Sequence, residues 1–187
     1  MPISRFASDL IQQLDQGRVP AGLVKEQDLE QKFVLPIAER LAAQHPDVLL
    51  YVHPWGRKRR CDPDCATLPP GGLGRIIGCP KCWEVSKKAW ASVAAFDSHH
   101  TFDLAAIDGS GKTLAVELKL SKPGKGHLPS GDVQRFLGQC ALASTKHTVV
   151  VGYFVYYGEL DGKWQGDPAT AKKWFEDRDI HLVFRSA

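Results

Sequence analysis

The stretch TFDLAAIDGSGKTLAVELKL, residues 101–120, carries the reading of the fold. Residues 101–107 and 113–120 have strand composition, and Asp108-Gly109-Ser110-Gly111-Lys112 between them suits a hairpin turn. In the second run Leu114, Val116, Leu118 and Leu120 alternate with Thr113, Ala115, Glu117 and Lys119, so Glu117 and Lys119 point the same way. In the first run Phe102 and Leu104 take one face, leaving Asp103 and Ala105 on the other. A symmetric five-residue turn then sets Phe102 opposite Leu118 and Asp103 opposite Glu117. Directly opposed side chains have Cβ atoms roughly 4.5 to 5.5 Å apart, a distance at which two carboxylates repel. A divalent cation removes that conflict, and Mg²⁺ suits the donors because it typically takes only one or two protein carboxylates and keeps its waters. Lys119, one pleat away, is set to orient or help deprotonate a water. The plainer reading is that Glu-x-Lys decorates the polar face of a half-buried strand. Asp103 at matching register weighs against it.

Outward from the hairpin, residues 148–157 (TVVVGYFVYY) predict a central strand buried on both faces. A glycine- and lysine-rich loop, 121–129, leads to a helix starting near Ser130 or Gly131, with Val133, Phe136, Leu137, Cys140 and Ala141 on one face. Cys140 reads there as a small core residue. Upstream, 47–53 (DVLLYVH) predicts a strand bounded by Pro46 and Pro54. Before it, 27–44 is helical, with Leu29, Phe33, Ile37 and Leu41 in one stripe, and Pro36 is expected to kink or divide it. Residues 3–15 put Phe6, Leu10 and Leu14 four apart and stop at Gly17, an amphipathic helix with a glycine after its end. A helix is expected over 82–96, carrying Trp83, Trp90 and Val93, then a short helix from Asp167-Pro168 and an edge strand over 181–185. This order predicts one α/β domain over 1–187, a mixed sheet with a helix on each face, interrupted by an insert at 54–98.

The chain of 187 residues is 43% hydrophobic and 24% charged, ordinary globular usage that argues against disorder. No apolar run reaches the roughly 18 residues of a membrane span, and the first ten residues already carry Arg5 and Asp9. The expectation is a soluble, cytoplasmic protein without signal peptide or membrane partner. Net charge is only +3, so any polyanion-binding surface must be local. Residues 57–88 hold eight basic side chains against Asp62, Asp64 and Glu84, a net +5 that leaves the rest of the chain at −2.

That basic window also holds four of the five cysteines, Cys61-x3-Cys65 and Cys79-x2-Cys82, a spacing compatible with a tetrahedral four-thiolate zinc site. Proline and glycine dominate between the pairs, leaving little apolar material to fold unaided, whereas structural zinc supplies folding energy. A [4Fe–4S] cluster also takes four thiolates, and disulfides are the other alternative, disfavoured inside a cell. Arg57, Lys58, Arg59 and Arg60 beside the cysteines are expected to contact phosphates. His99 and His100, just before Asp103, are candidates for substrate contact or metal ligation, against the commoner outcome of a satisfied histidine.

Phe102-Asp103, thirteen residues, then Glu117-Leu118-Lys119, preceded by an acidic helix and followed by a helix and a long apolar strand, resembles the PD-(D/E)xK restriction-endonuclease-like nucleases. The resemblance covers about 27–157 and implies a core of helix, three-stranded meander, helix and strand (αβββαβ), with the zinc insert between the first two strands. Phe102 stands where the family has proline. The resemblance implies that Asp103 and Glu117 hold Mg²⁺ or Mn²⁺ and that Lys119 is the catalytic lysine. It also implies an acid on the first helix, Glu30, with Glu26 one turn earlier as alternative, and a glutamine near the site, Gln139. Lys122, Lys125 and His127 would lie beside it, the two lysines on nucleic acid. The implied activity is metal-dependent hydrolysis of phosphodiesters, with DNA as substrate and endonucleolytic cutting. The rivals are a catalytically silent zinc-stabilised nucleic-acid-binding protein and a partner-binding subunit. Target sequence, DNA against RNA, endo against exo cleavage and oligomeric state, a homodimer among the options, stay open at this level.

Overall fold

The computed structural model describes residues 2–52, 76–77, 92–95, 98–121, 130–157 and 168–187. Helix α1 (Pro2–Gln16) buries Ile3, Phe6, Ala7, Leu10 and Leu14, the apolar stripe its sequence spells out. Gly17 follows because of space, not a left-handed turn: a Cβ there would lie 2.7 Å from both Gln13 O and Phe33 Cζ.

The second helical segment is one rod in three parts, α2 (Glu26–Leu29), a π-helical turn (Glu30–Val34) and α3 (Leu35–Gln44). The break expected at Pro36 is instead this π turn, in which the Leu35 amide donates to Glu30 O, five residues back. A proline ring clashes with the carbonyl four residues before it in a regular α-helix, and the wider turn moves that carbonyl aside. The rod therefore continues, burying Leu29, Phe33, Val34, Ile37, Ala38 and Leu41.

Five full strands and one short edge strand make a mixed sheet. These are β1 (Val48–Val52), β2 (Ile76–Ile77), β5 (Leu104–Asp108), β6 (Thr113–Leu120), β7 (Val149–Tyr156) and β8 (Ile180–Ser186), in the order β2-β1-β5-β6-β7-β8. β1, β5 and β6 run as an antiparallel meander, while β7 lies parallel to β6 and β8 parallel to β7. The crossover between the parallel β6 and β7 contains helix α4 (Ser130–Ala143). All eight residues of β7 are buried, as a central strand covered on both faces requires. Helix α5 (Pro168–Glu176) precedes the edge strand β8.

Alternation along the strands divides the core in two. Leu114, Val116, Leu118 and Leu120 join α1 and the rod on one face. Ala115, Val150 and Phe154 join Phe136 and Cys140 of α4 on the other. The β5–β6 turn is fastened by Asp108, whose Oδ1 accepts from the Ser110 and Lys112 amides at 2.9 and 3.0 Å and whose Oδ2 accepts from the Ile3 amide at 3.3 Å. Burial pushes the Asp108 carboxyl up, but the Ser110 hydroxyl, donating to Oδ1 at 2.6 Å, and these amides prevail and hold it below the usual range. α1 is thereby stitched to the hairpin tip.

Three expectations are corrected. The strand read over 101–107 is broken: β4 (Ser98–Thr101) ends before Phe102-Asp103, and β5 begins after them. Phe102 does not share a face with Leu104 but packs in the α4-side cluster, because the break turns the chain between them. Of the helix read over 82–96, residues 82–91 and 96 lie outside the described residues, and 92–95 form β3 (Ser92–Ala95), an antiparallel partner of β4, since pairing to a neighbouring strand outweighs a weak local helical pattern.

Candidate active site

The β5–β6 ladder has the register that the symmetric turn implies, with Leu104 opposite Val116 and Ala105 opposite Ala115. It stops there. The Asp103 amide donates to Val116 O at 3.1 Å, one residue out of step, so Asp103 and Glu117 are not a regular cross-strand pair. The Asp103 side chain fills the gap: its Oδ2 accepts from the Leu118 amide at 2.8 Å. A side-chain oxygen thus takes a β6 amide beyond the end of the regular ladder, and the hairpin opens where its two acids sit.

Glu117 is 4% exposed, and its Oε2 lies 2.9 Å from His100 Nε2. Burial raises the Glu117 carboxyl above its ordinary range; the His100 hydrogen bond and charge oppose this, the Glu26 charge adds to it, and Lys119 opposes it. Asp103 is pushed well above its ordinary range, by burial first and the Glu117 charge second, against the Leu118 hydrogen bond, with Glu30 and Glu26 adding to the rise. Both acids hold their protons harder than free carboxylates, chiefly because burial disfavours the charged form, with neighbouring negative charge adding to it.

Sequence treats Glu30 and Glu26 as alternatives, and the structure brings both to the site. Glu30 is 1% exposed within the π turn, and Glu26, one turn earlier, sets Oε1 2.8 Å from Lys119 Nζ. Gln139, on α4, approaches the other nitrogen of His100, with Nε2 3.5 Å from Nδ1. Cys140 lies behind the acids on that helix. Burial, then the Glu117 and Asp103 charges, raise its thiol, so it behaves as a core residue. Tight packing here has a backbone cause: a Cβ on Gly152, the β7 neighbour of Glu117, would lie 2.7 Å from both Cys140 Sγ and Phe136 Cζ.

His100 is the residue whose role sequence reasoning missed. It lies on β4, three residues before Asp103, and the only signal was its nearness to the acid, which gave substrate contact or metal ligation and not a hydrogen bond to Glu117. Its ring meets Phe102 edge-on at 5.2 Å, and Phe102 meets buried His147 the same way at 4.9 Å. Cys61, Cys65, Cys79, Cys82, Arg57, Lys58, Arg59, Arg60, Lys122, Lys125 and His127 lie outside the described residues.

Among the described residues no three His, Cys, Asp or Glu side chains are grouped as a ready-made metal cage. The donor set nevertheless fits a hard cation that keeps most of its waters. Asp103 and Glu117 offer buried carboxylate oxygens, and a cation would offset the burial and the charge of Glu117 and Glu26 that raise them. No helix among the described residues is long and apolar enough to cross a membrane. No family model, curated protein or solved structure matches the chain.

Proposed function

We propose that the chain is a metal-dependent nuclease with a restriction-endonuclease-like core, hydrolysing phosphodiester bonds in DNA as an endonuclease. The observation that carries this reading is the convergence of Asp103 and Glu117 at the opened end of the hairpin. Both are raised in pKa, and Lys119 stands on the same strand. The order β1-β5-β6-β7, with a helical rod before β1 and α4 between β6 and β7, is the order such a core requires, and it supports the reading.

Asp103 and Glu117 would hold Mg²⁺ or Mn²⁺, which when bound polarises the scissile phosphate and lowers the pKa of an attacking water. Lys119 would meet the negative charge that builds on the phosphoryl oxygens, or hold the water for attack. Glu26 keeps the lysine at the site, since its 2.8 Å ion pair fixes the ammonium of a flexible side chain. Glu30 adds buried negative charge that favours a cation. Four thiolates at 61, 65, 79 and 82 are read as a structural zinc site, and Arg57, Lys58, Arg59 and Arg60 with Lys122 and Lys125 as phosphate contacts.

The test is incubation with plasmid, linear and single-stranded substrates in Mg²⁺, Mn²⁺ or EDTA. Metal-dependent cleavage that EDTA stops and Glu117→Ala abolishes is expected. Full activity in Glu117→Ala overturns the assignment, and binding without cleavage on every substrate class moves the protein to the nucleic-acid-binding reading.

A further inference from the structure

The bond between His100 and Glu117 joins two different sheets. Among the described residues β4, which carries His100, pairs with β3 alone in a two-stranded sheet, and no ladder aligns it with β6. Yet the imidazole reaches across to Glu117 with Nε2 at 2.9 Å from Oε2, half-buried at 22% side-chain exposure over an acid at 5%. An ionised Glu117 only accepts hydrogen bonds, so in that state Nε2 is the donor of the pair and Nδ1 is left facing α4. The amide Nε2 of Gln139 lies 3.5 Å from Nδ1, a loose contact on the other side of the ring. The ring is held from the side by fully buried Phe102, edge-on at 5.2 Å. Three elements (β4, the 102–103 break and α4) thus meet on one imidazole whose donor is spent on one carboxylate oxygen.

We propose that His100 is a positioning residue for Glu117: it fixes the carboxylate in the orientation that binds a divalent cation, with Phe102 holding the plane of its ring and Gln139 beside its other nitrogen. The inference rests on the reading of Asp103 and Glu117 as the cation ligands. Hydrogen-bonded partners behind a ligand fix its direction, and their removal typically lowers metal affinity roughly 10- to 100-fold. A merely satisfied histidine would leave affinity unchanged.

The experiment is calorimetric titration of Mn²⁺ into the full chain in metal-scrubbed buffer, comparing parent, Glu117→Ala, His100→Ala and His100→Gln. The binding event lost in Glu117→Ala defines the site. His100→Ala is expected to weaken that event roughly 10- to 100-fold. His100→Gln, whose amide nitrogen can occupy the position of Nε2, is expected to recover most of the loss. In cleavage assays the half-saturating metal concentration should rise in His100→Ala, while the rate at saturating metal changes far less. Thermal unfolding without metal checks that each variant folds. Parent-like affinity in His100→Ala, or His100→Gln as weak as alanine, overturns the positioning role while leaving the two-carboxylate site standing. Parent binding indifferent to Glu117→Ala overturns both.

Discussion

Glu117 costs stability for as long as it is buried and ionised without a cation. Its carboxyl is raised by burial, so its ionised form is favoured less in the folded chain than in the unfolded one. A raised carboxyl destabilises the fold fully above its folded pKa, and that cost vanishes as pH falls below the unfolded value. Glu117→Gln, which keeps the shape and removes the charge, should therefore raise the unfolding temperature of metal-free protein at neutral pH while abolishing cleavage. Asp103→Ala should gain less, because it also strips the acceptor from the Leu118 amide, a loss of about 1–3 kcal/mol for an amide left unsatisfied. Scanning calorimetry on the two variants separates charge relief from hydrogen-bond loss; equal gains would deny Asp103 its backbone role. Lys119→Ala should lower kcat roughly 10²- to 10³-fold if the ammonium stabilises the transition state, with substrate affinity little changed. His147 gives the opposite pH signature. Burial lowers its pKa from 6.5 to about 4, and among the described residues neither ring nitrogen has a hydrogen-bond partner. Between those values the unfolded chain binds the proton more readily, so stability is full above about pH 6.5 and falls as pH drops towards 4. That is about 3 kcal/mol at the acid end. Urea unfolding of parent and His147→Leu at pH 7, 5.5 and 4 should show a stability difference that changes on acidification, the parent losing stability faster, and a constant difference would deny the histidine this role.

At the scale of elements, the helical rod and α4 bring the site's side chains together. The π turn begins at Glu30, so one distortion both accommodates Pro36 and carries an acid whose charge adds to the rise in Asp103 that burial and Glu117 chiefly cause. The two helix acids have divided roles: Glu30 is buried near Asp103, while Glu26 is spent on Lys119. Glu26→Gln should therefore act on the rate at saturating metal, and Glu30→Gln on the metal concentration needed; titrating Mn²⁺ against cleavage rate for each tests the division. α4 lies close over the sheet only because Gly152 has no side chain. Gly152→Ala should cost about 1–3 kcal/mol in denaturant unfolding, since Cys140 and Phe136 must both give way. Because α4 also carries Gln139, the same change should impair the site. A stability unchanged from parent would mean the helix shifts freely.

For the whole molecule, charge is separated along the chain: the window 57–88 is +5 in a protein of net +3. A clustered basic segment neutralises phosphates without reading sequence, so replacing Arg57, Lys58, Arg59 and Arg60 by Ala should weaken DNA binding on all sequences alike. The slope of log affinity against log salt should flatten by about 0.9 for each phosphate no longer neutralised. Fluorescence anisotropy at several salt concentrations measures it, and an unchanged slope returns the run to a solvated surface. Metal analysis should find about one zinc per chain beyond any Mg²⁺, by the four-thiolate reading; iron with visible absorption would replace zinc by a cluster.

The alternation of 113–120, the register of the hairpin and the burial of 148–157 follow from sequence, because period-two patterning and turn length are properties of adjacent residues. The candidate acids Asp103 and Glu117 were legible for the same reason. Their geometry was not. Tertiary structure decided that the ladder ends at Leu104 and that Asp103 takes the Leu118 amide itself. It sent Phe102 to the α4 side, and it brought Glu26 to Lys119 from 93 residues away. It also decided that His100 meets Glu117 from a separate sheet. Local pattern says which face a side chain occupies while a strand stays regular. Where the strand breaks, direction is set by what packs against it, and those partners come from elements that no local period connects.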